Sequence, residues 1–165
     1  AIIDLKELLT NPKSRKSLTT PQILEVTRQV NAILAAKGQT EVPDNPADFA
    51  SLYSDGKWSH APHLTVLSQW IKDASQGKRR RILVSMPPRH GKSELISYWT
   101  PLWLLAQKPQ RKIVLASYEA DFAALWGRRI RDSITAFGDR FNLSLSGSST
   151  AASEWTLSAG GGMIT

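Results

Sequence analysis

Ile82-Leu83-Val84-Ser85-Met86-Pro87-Pro88-Arg89-His90-Gly91-Lys92-Ser93-Glu94 is the stretch on which the fold of this chain turns. Its first five residues are almost wholly apolar, the pattern of a short strand buried on both faces. Pro87 to Gly91 can extend neither a strand nor a helix. Beyond them Leu95, Ile96, Trp99, Leu102, Trp103 and Ala106 keep one helical face, so the spacing predicts a helix that continues, kinked, across Pro101.

A strand, a tight loop and a helix start give Gly91-Lys92-Ser93 a chemistry. The triplet is the tail of a P-loop pattern, with Met86 where the first glycine would fall. Average residue usage yields a bare triplet of this kind in about one chain in twelve of this length, so the context carries the argument. Glycine at 91 lets the backbone approach a phosphate, and amides at the helix start converge on an anion. Pro88, Arg89, His90, Gly91, Lys92, Ser93 and Glu94 are therefore the expected nucleotide-binding segment, with ATP and Mg2+ as its ligands. Lys92 would reach the β and γ phosphates, and the Ser93 hydroxyl would complete the shell of a magnesium ion brought in by the nucleotide. Arg89 offers paired donors beside the cradle. Two plainer readings stand beside these: a surface loop opening a helix with Lys92 solvated, and an Arg89 that pairs with a carboxylate and shapes the loop.

Upstream, Thr20-Pro21 and the repeat Ile23, Thr27, Val30, Ile33 and Leu34 predict a helix ending at Gly38. Pro43, Pro46 and Gly56 break the next stretch, within which Asn45-Pro46 can open a short helix through Phe49 and Leu52. Leu64, Leu67, Trp70, Ile71 and Ala74 form another stripe closed by Gly77. Downstream, Ile113-Val114-Leu115-Ala116 reads as a second buried strand. Phe122, Leu125, Trp126, Ile130, Ile134 and Phe137 read as a helix ending at Gly138. Past Asn142 the chain turns small and polar, and Trp155-Thr156-Leu157 with Met163-Ile164 look like an extended pair joined at glycines. The alternation is that of an α/β domain with a parallel sheet and crossover helices, here residues 58–165, after a helical lead-in at residues 1–57.

Composition bounds the rest. A chain of 165 residues with 41% hydrophobic content can bury one domain core. No apolar run approaches the roughly 18 residues of a membrane span, and no signal-peptide pattern opens the chain, so a cytoplasmic location is expected. With no cysteine and three histidines (His60, His63, His90) at no ligand spacing, disulfides, thiolate zinc sites and cysteine nucleophiles are excluded. A net charge of +7 suits a polyanionic partner. Arg128, Arg129 and Arg131 are the candidate contacts for double-stranded DNA, with a solvated helix face as the alternative; Lys78-Arg79-Arg80-Arg81 is either a second such patch or a soluble turn.

Met86 to Glu94, with Trp99 and Trp103 in the next helix, resembles the variant P-loop of the large subunit of tailed-phage terminases. The similarity continues through Trp58, Ala61-Pro62-His63 and Leu67, then Ile113 to Tyr118, Phe122, Arg128 to Arg131, and Trp155 to Met163. It covers about residues 58–165. The resemblance implies a P-loop NTPase core of the additional-strand type, an ATPase that drives double-stranded DNA into a procapsid. It also implies Arg89 acting on the γ phosphate, and Pro62 and His63 bordering the base, although a capping or core histidine at 63 remains an equal reading. Portal protein, a small terminase subunit and a ring of identical subunits at the procapsid portal, in the host cytoplasm, follow as implied partners and place.

Hydrolysis also needs a carboxylate at the end of an apolar strand. None of Glu94, Glu119, Asp121, Asp132, Asp139 or Glu154 follows such a run. In the family the paired aspartates would follow Met163, so the chain is expected to be an incomplete motor domain that binds nucleotide better than it hydrolyses it. Two alternatives stay open: a helicase-like P-loop enzyme acting on nucleic acid, and a non-hydrolysing nucleotide-binding fragment.

Overall fold

The structure, a computed structural model, describes residues 19, 26, 42–78 and 81–165. The helix expected over Thr20 to Gly38 and the arginines at 79 and 80 lie outside the described residues. The packed unit is Val42–Thr165. Residues 42–57, read from the sequence as the end of a lead-in, belong to it.

Helix α1 (Pro46–Tyr53) starts where Asn45 and Pro46 predict. The Asn45 side chain accepts from the amides of Ala47 and Asp48 at 3.1 and 3.0 Å, and proline sits where its missing N–H costs nothing. Helix α2 (Pro62–Ser75) is tied to this cap. Buried Ser68 donates to the Asn45 side-chain oxygen Oδ1 at 2.7 Å and accepts from the Ala47 amide at 2.9 Å. Gly77, at φ +78°, ends α2 in a left-handed turn, with the amides of Gly77 and Lys78 closing on Ala74 and Asp73.

The helix after the loop continues past Pro101, through a π-helical segment, Glu94–Trp99, and then α3 (Thr100–Gln107). Proline cannot donate to the preceding turn and crowds it. The wider π turn, with the Thr100 hydroxyl donating to the Leu95 carbonyl at 2.8 Å, absorbs both effects. Strand β1 (Lys112–Val114) precedes α4 (Ala120–Phe137). A 3-10 turn at Gly138–Phe141 leads to β2 (Leu145–Thr150), β3 (Glu154–Leu157) and β4 (Gly162–Ile164).

The result is a mixed α/β unit with a four-stranded sheet ordered β1-β4-β3-β2. Only β1 and β4 are parallel, with Val114 opposite Ile164; the other pairs are antiparallel because short turns join them in sequence. This corrects the expected parallel sheet. It also corrects the expected inner strand at Ile82 to Met86. The segment is extended but joins no strand of the sheet. Val84 and Met86 pack on the core while Leu83 is 96% exposed, so the run is buried on one side only.

Helix α4 buries part of the expected stripe, with Ile130 and Ile134 inward and Trp126 packed on the core, but the buried face is rotated from the rest of it. Ala123, Gly127, Ile130 and Ile134 point inward, whereas Phe122, Leu125 and Phe137 are exposed. Small residues let this helix approach closely: a Cβ at Gly127 would lie 2.7 Å from the Ala152 carbonyl oxygen, and Trp155 donates to the Gly127 carbonyl at 3.0 Å. Gly138 is likewise required by proximity, since a Cβ there would meet the Leu143 carbonyl oxygen at 2.2 Å. Its φ of −54° is ordinary, and the left-handed turn falls instead on Asn142. Phe49, Tyr53 and Phe141 pack in tilted and edge-to-face pairs within the core, with ring centroids 4.6 to 5.4 Å apart.

Candidate phosphate site

The loop runs from the extended segment through a turn at 88–90 into a helix that begins at Lys92. Arg89 and Gly91 both have left-handed backbones, at φ +63° and +79°. The Leu95 amide donates to the Gly91 carbonyl at 2.9 Å, the first bond of the helix, and so places Gly91 at its mouth. Only glycine fits there comfortably: beyond the torsion, a Cβ would come within 2.8 Å of a Leu64 methyl on α2.

Helix α2 braces the loop from a second direction. His63 Nε2 donates to the His90 carbonyl at 3.1 Å, and His90 Nδ1 donates to the Pro88 carbonyl at 2.8 Å. A carbonyl only accepts, so these bonds fix which ring nitrogens carry hydrogen. The two imidazoles stand edge to face, 6.0 Å apart. His63 is thus brought to the loop, and Pro62 occupies the first turn of the same helix.

Lys92 is partly exposed, while Arg89 and Ser93 are exposed. Among the described residues, none of these three side chains has a hydrogen bond or ion pair, so the reading of Arg89 as a carboxylate's partner finds no carboxylate. Two cations and a hydroxyl, each at least partly exposed, thus stand in one short stretch at the first turn of a helix, residue types suited to phosphate oxygens. Among the described residues there is no group of three or more His, Asp or Glu that could hold a metal ion.

Glu94 and Arg129 find each other. The guanidinium donates to both carboxylate oxygens, at 2.7 and 2.5 Å, and lies 3.9 Å from the Tyr98 ring centre and 5.5 Å from that of Trp126. These bonds, outweighing partial burial, hold the Arg129 pKa above its ordinary range. Glu94, expected in the nucleotide segment, and Arg129, expected on DNA, are committed to one another. Arg131 bonds Asp132 at 2.8 and 3.0 Å. Of the three arginines singled out as DNA contacts, Arg128 alone is exposed with no such partner among the described residues. The Tyr98 and Trp126 supports were missed in the sequence because Trp126 falls within an apolar stripe and Tyr98 beside one; a tyrosine four residues after Glu94 on a helix was the available signal.

No family model, curated protein or solved structure matches this chain. No helix among the described residues is long and apolar enough to cross a membrane.

Proposed function

We propose that this chain is the nucleotide-binding portion of a viral DNA-packaging motor, a terminase large subunit. In this reading it is part of an ATPase with an additional-strand P-loop core that moves double-stranded DNA into a procapsid. Lys92 neutralises the β and γ phosphates, Ser93 faces the accompanying magnesium ion, Arg89 reaches the γ phosphate, and Pro62 and His63 border the base. Double-stranded DNA, a portal protein, a small terminase subunit and further copies in a ring are the proposed partners, at the procapsid in the host cytoplasm.

One observation carries the reading: Arg89, Lys92 and Ser93, all without partners among the described residues, adjoin in sequence a helix start that the left-handed Gly91 opens. The net charge of +7 suits a polyanionic track. A second reading, nucleotide binding without turnover, draws on the extended segment at 82–86. Among the described residues it joins no strand of the sheet, whereas hydrolysis calls for a carboxylate at the end of a strand beside the loop.

Binding and hydrolysis of Mg-ATP measured side by side decide between them. A charge-assisted bond contributes about 1.5–3 kcal/mol, so Lys92→Ala should weaken Mg-ATP binding by about one to two decades. Equal affinity for parent and variant would remove the phosphate-site reading altogether. Binding without measurable turnover would leave the second reading standing.

A further inference from the structure

We propose that Arg129 is a positioning residue for the phosphate loop, acting through Glu94: it masks a carboxylate that would otherwise repel the triphosphate. The inference rests on the nucleotide reading above.

Glu94 lies three residues beyond Gly91, in the first turn of the helix that would hold the phosphates. An acid there suits the positive end of a helix, yet it opposes any polyanion bound at the same end. Arg129 resolves the conflict by covering both carboxylate oxygens. Its guanidinium is held in place before any ligand arrives. Ser133 donates to the Arg129 carbonyl at 2.9 Å, leaving the Tyr98 hydroxyl to donate to Ser133 at 2.7 Å, so the ring under the guanidinium is tied to the backbone that carries it.

Stability gives little reason for such care. The side chains of Arg129 and Glu94 are 47% and 35% exposed, and pairs this open contribute little to folding. The pair also borders a 380 Å³ cleft lined by Tyr53, Trp58, Trp99 and Phe137, which leaves it open to salt. What it changes is the charge displayed beside the loop: masked, Glu94 leaves Arg89 and Lys92 as the dominant field.

The test is a Mg-ATP titration of the full chain at low and high salt, with a thermal melt of every variant. Arg129→Ala should weaken binding about tenfold at low salt and less at high salt, because an uncovered carboxylate then faces the phosphates through a partly screened gap. Glu94→Gln alone should bind at least as tightly as the parent. The double variant Glu94→Gln/Arg129→Ala should return to within about twofold of the parent, since the offending charge is gone although the pair is not restored. A double variant as weak as Arg129→Ala, or weakened binding in Glu94→Gln, would mean that the pair acts as a tether, and masking would be wrong. If Arg129→Ala does not fold, Glu94→Gln decides alone, by the same rule. Weak binding in Lys92→Ala with unchanged affinity in Arg129→Ala overturns this inference and spares the nucleotide reading; unchanged affinity in Lys92→Ala overturns both.

Discussion

Replacing Gly91 by alanine tests the loop's geometry without touching a charge. The torsion of +79° is one that an L-residue adopts at a cost of about 1–2 kcal/mol. The new methyl would also stand 2.8 Å from a Leu64 methyl group. That atom is the end of a side chain, but Leu64 is 5% exposed and has little room to turn, so about 1 kcal/mol of crowding is added. The sum, about 2–3 kcal/mol, should lower the melting temperature by about 6–15 °C for a unit of this size. Differential scanning calorimetry on Gly91→Ala, Leu64→Val and the pair separates the two terms. The double variant should lose about 1 kcal/mol less than the sum of the singles, because shortening residue 64 relieves crowding but not the torsion. Strict additivity would show that Leu64 is not what crowds position 91. A melt of Gly91→Ala within about 2 °C of the parent would show that the loop does not hold this conformation at all.

Arg89 shares the left-handed backbone, so Arg89→Gly should raise stability by about 1 kcal/mol while weakening Mg-ATP binding. A variant that is both more stable and unimpaired in binding would remove Arg89 from the phosphate site. Tyr53 gives an alkaline prediction. Burial lifts its phenol above the ordinary range, partly offset by the nearby Arg140 guanidinium, and its hydroxyl donates to the Arg140 carbonyl at 3.3 Å. A raised folded-state pKa means that this contribution is intact below the unfolded phenol's pKa and is lost as pH climbs through the folded one. Urea unfolding at about pH 8 and pH 11 should therefore show a steeper loss in the parent than in Tyr53→Phe; parallel losses would contradict it.

What the sequence made legible follows from which signals are local. Asn45-Pro46, the Leu64 stripe and Gly77 each specify a helix boundary within a few residues, and each boundary is where those residues place it. The run at Ile82 to Met86 misleads because an apolar residue at 83 reads as inward whether or not anything covers it, and here nothing among the described residues does. Strand β2 has few apolar residues with which to announce itself, and it is recruited by pairing with β3. The face of α4 was legible only in part, at Trp126, Ile130 and Ile134, for a related reason. Phe122, Leu125 and Phe137 carry the hydrophobic signal, but the small residues Ala123 and Gly127 decide how closely the helix can approach. At the candidate site, Gly91, Lys92 and Ser93 are visible as a run of neighbours, whereas the bond between Glu94 and Arg129 joins residues far apart in the chain and exists only in the fold.

These particulars locate the loop's support. An extended segment that enters no ladder cannot fix the loop through sheet hydrogen bonds, so the positions of Arg89, Gly91 and Lys92 must come from elsewhere. Two helices supply them. From α2, Leu64 packs against Gly91 and His63 holds the His90 carbonyl; from α4, Arg129 holds Glu94 and thereby the first turn beyond Lys92. His63 bonds the loop's backbone and stands against the His90 ring, so removing it should loosen the turn without removing a permanent charge near a phosphate. Removing Arg129 changes that charge while leaving the His63 contact in place. The two supports therefore act on different properties of one site: His63→Ala should weaken Mg-ATP binding equally at low and high salt, whereas the Arg129→Ala defect should fade as salt rises. A salt-dependent loss in His63→Ala would mean that the imidazole itself faces the phosphates, and the division of labour between the two helices would fail.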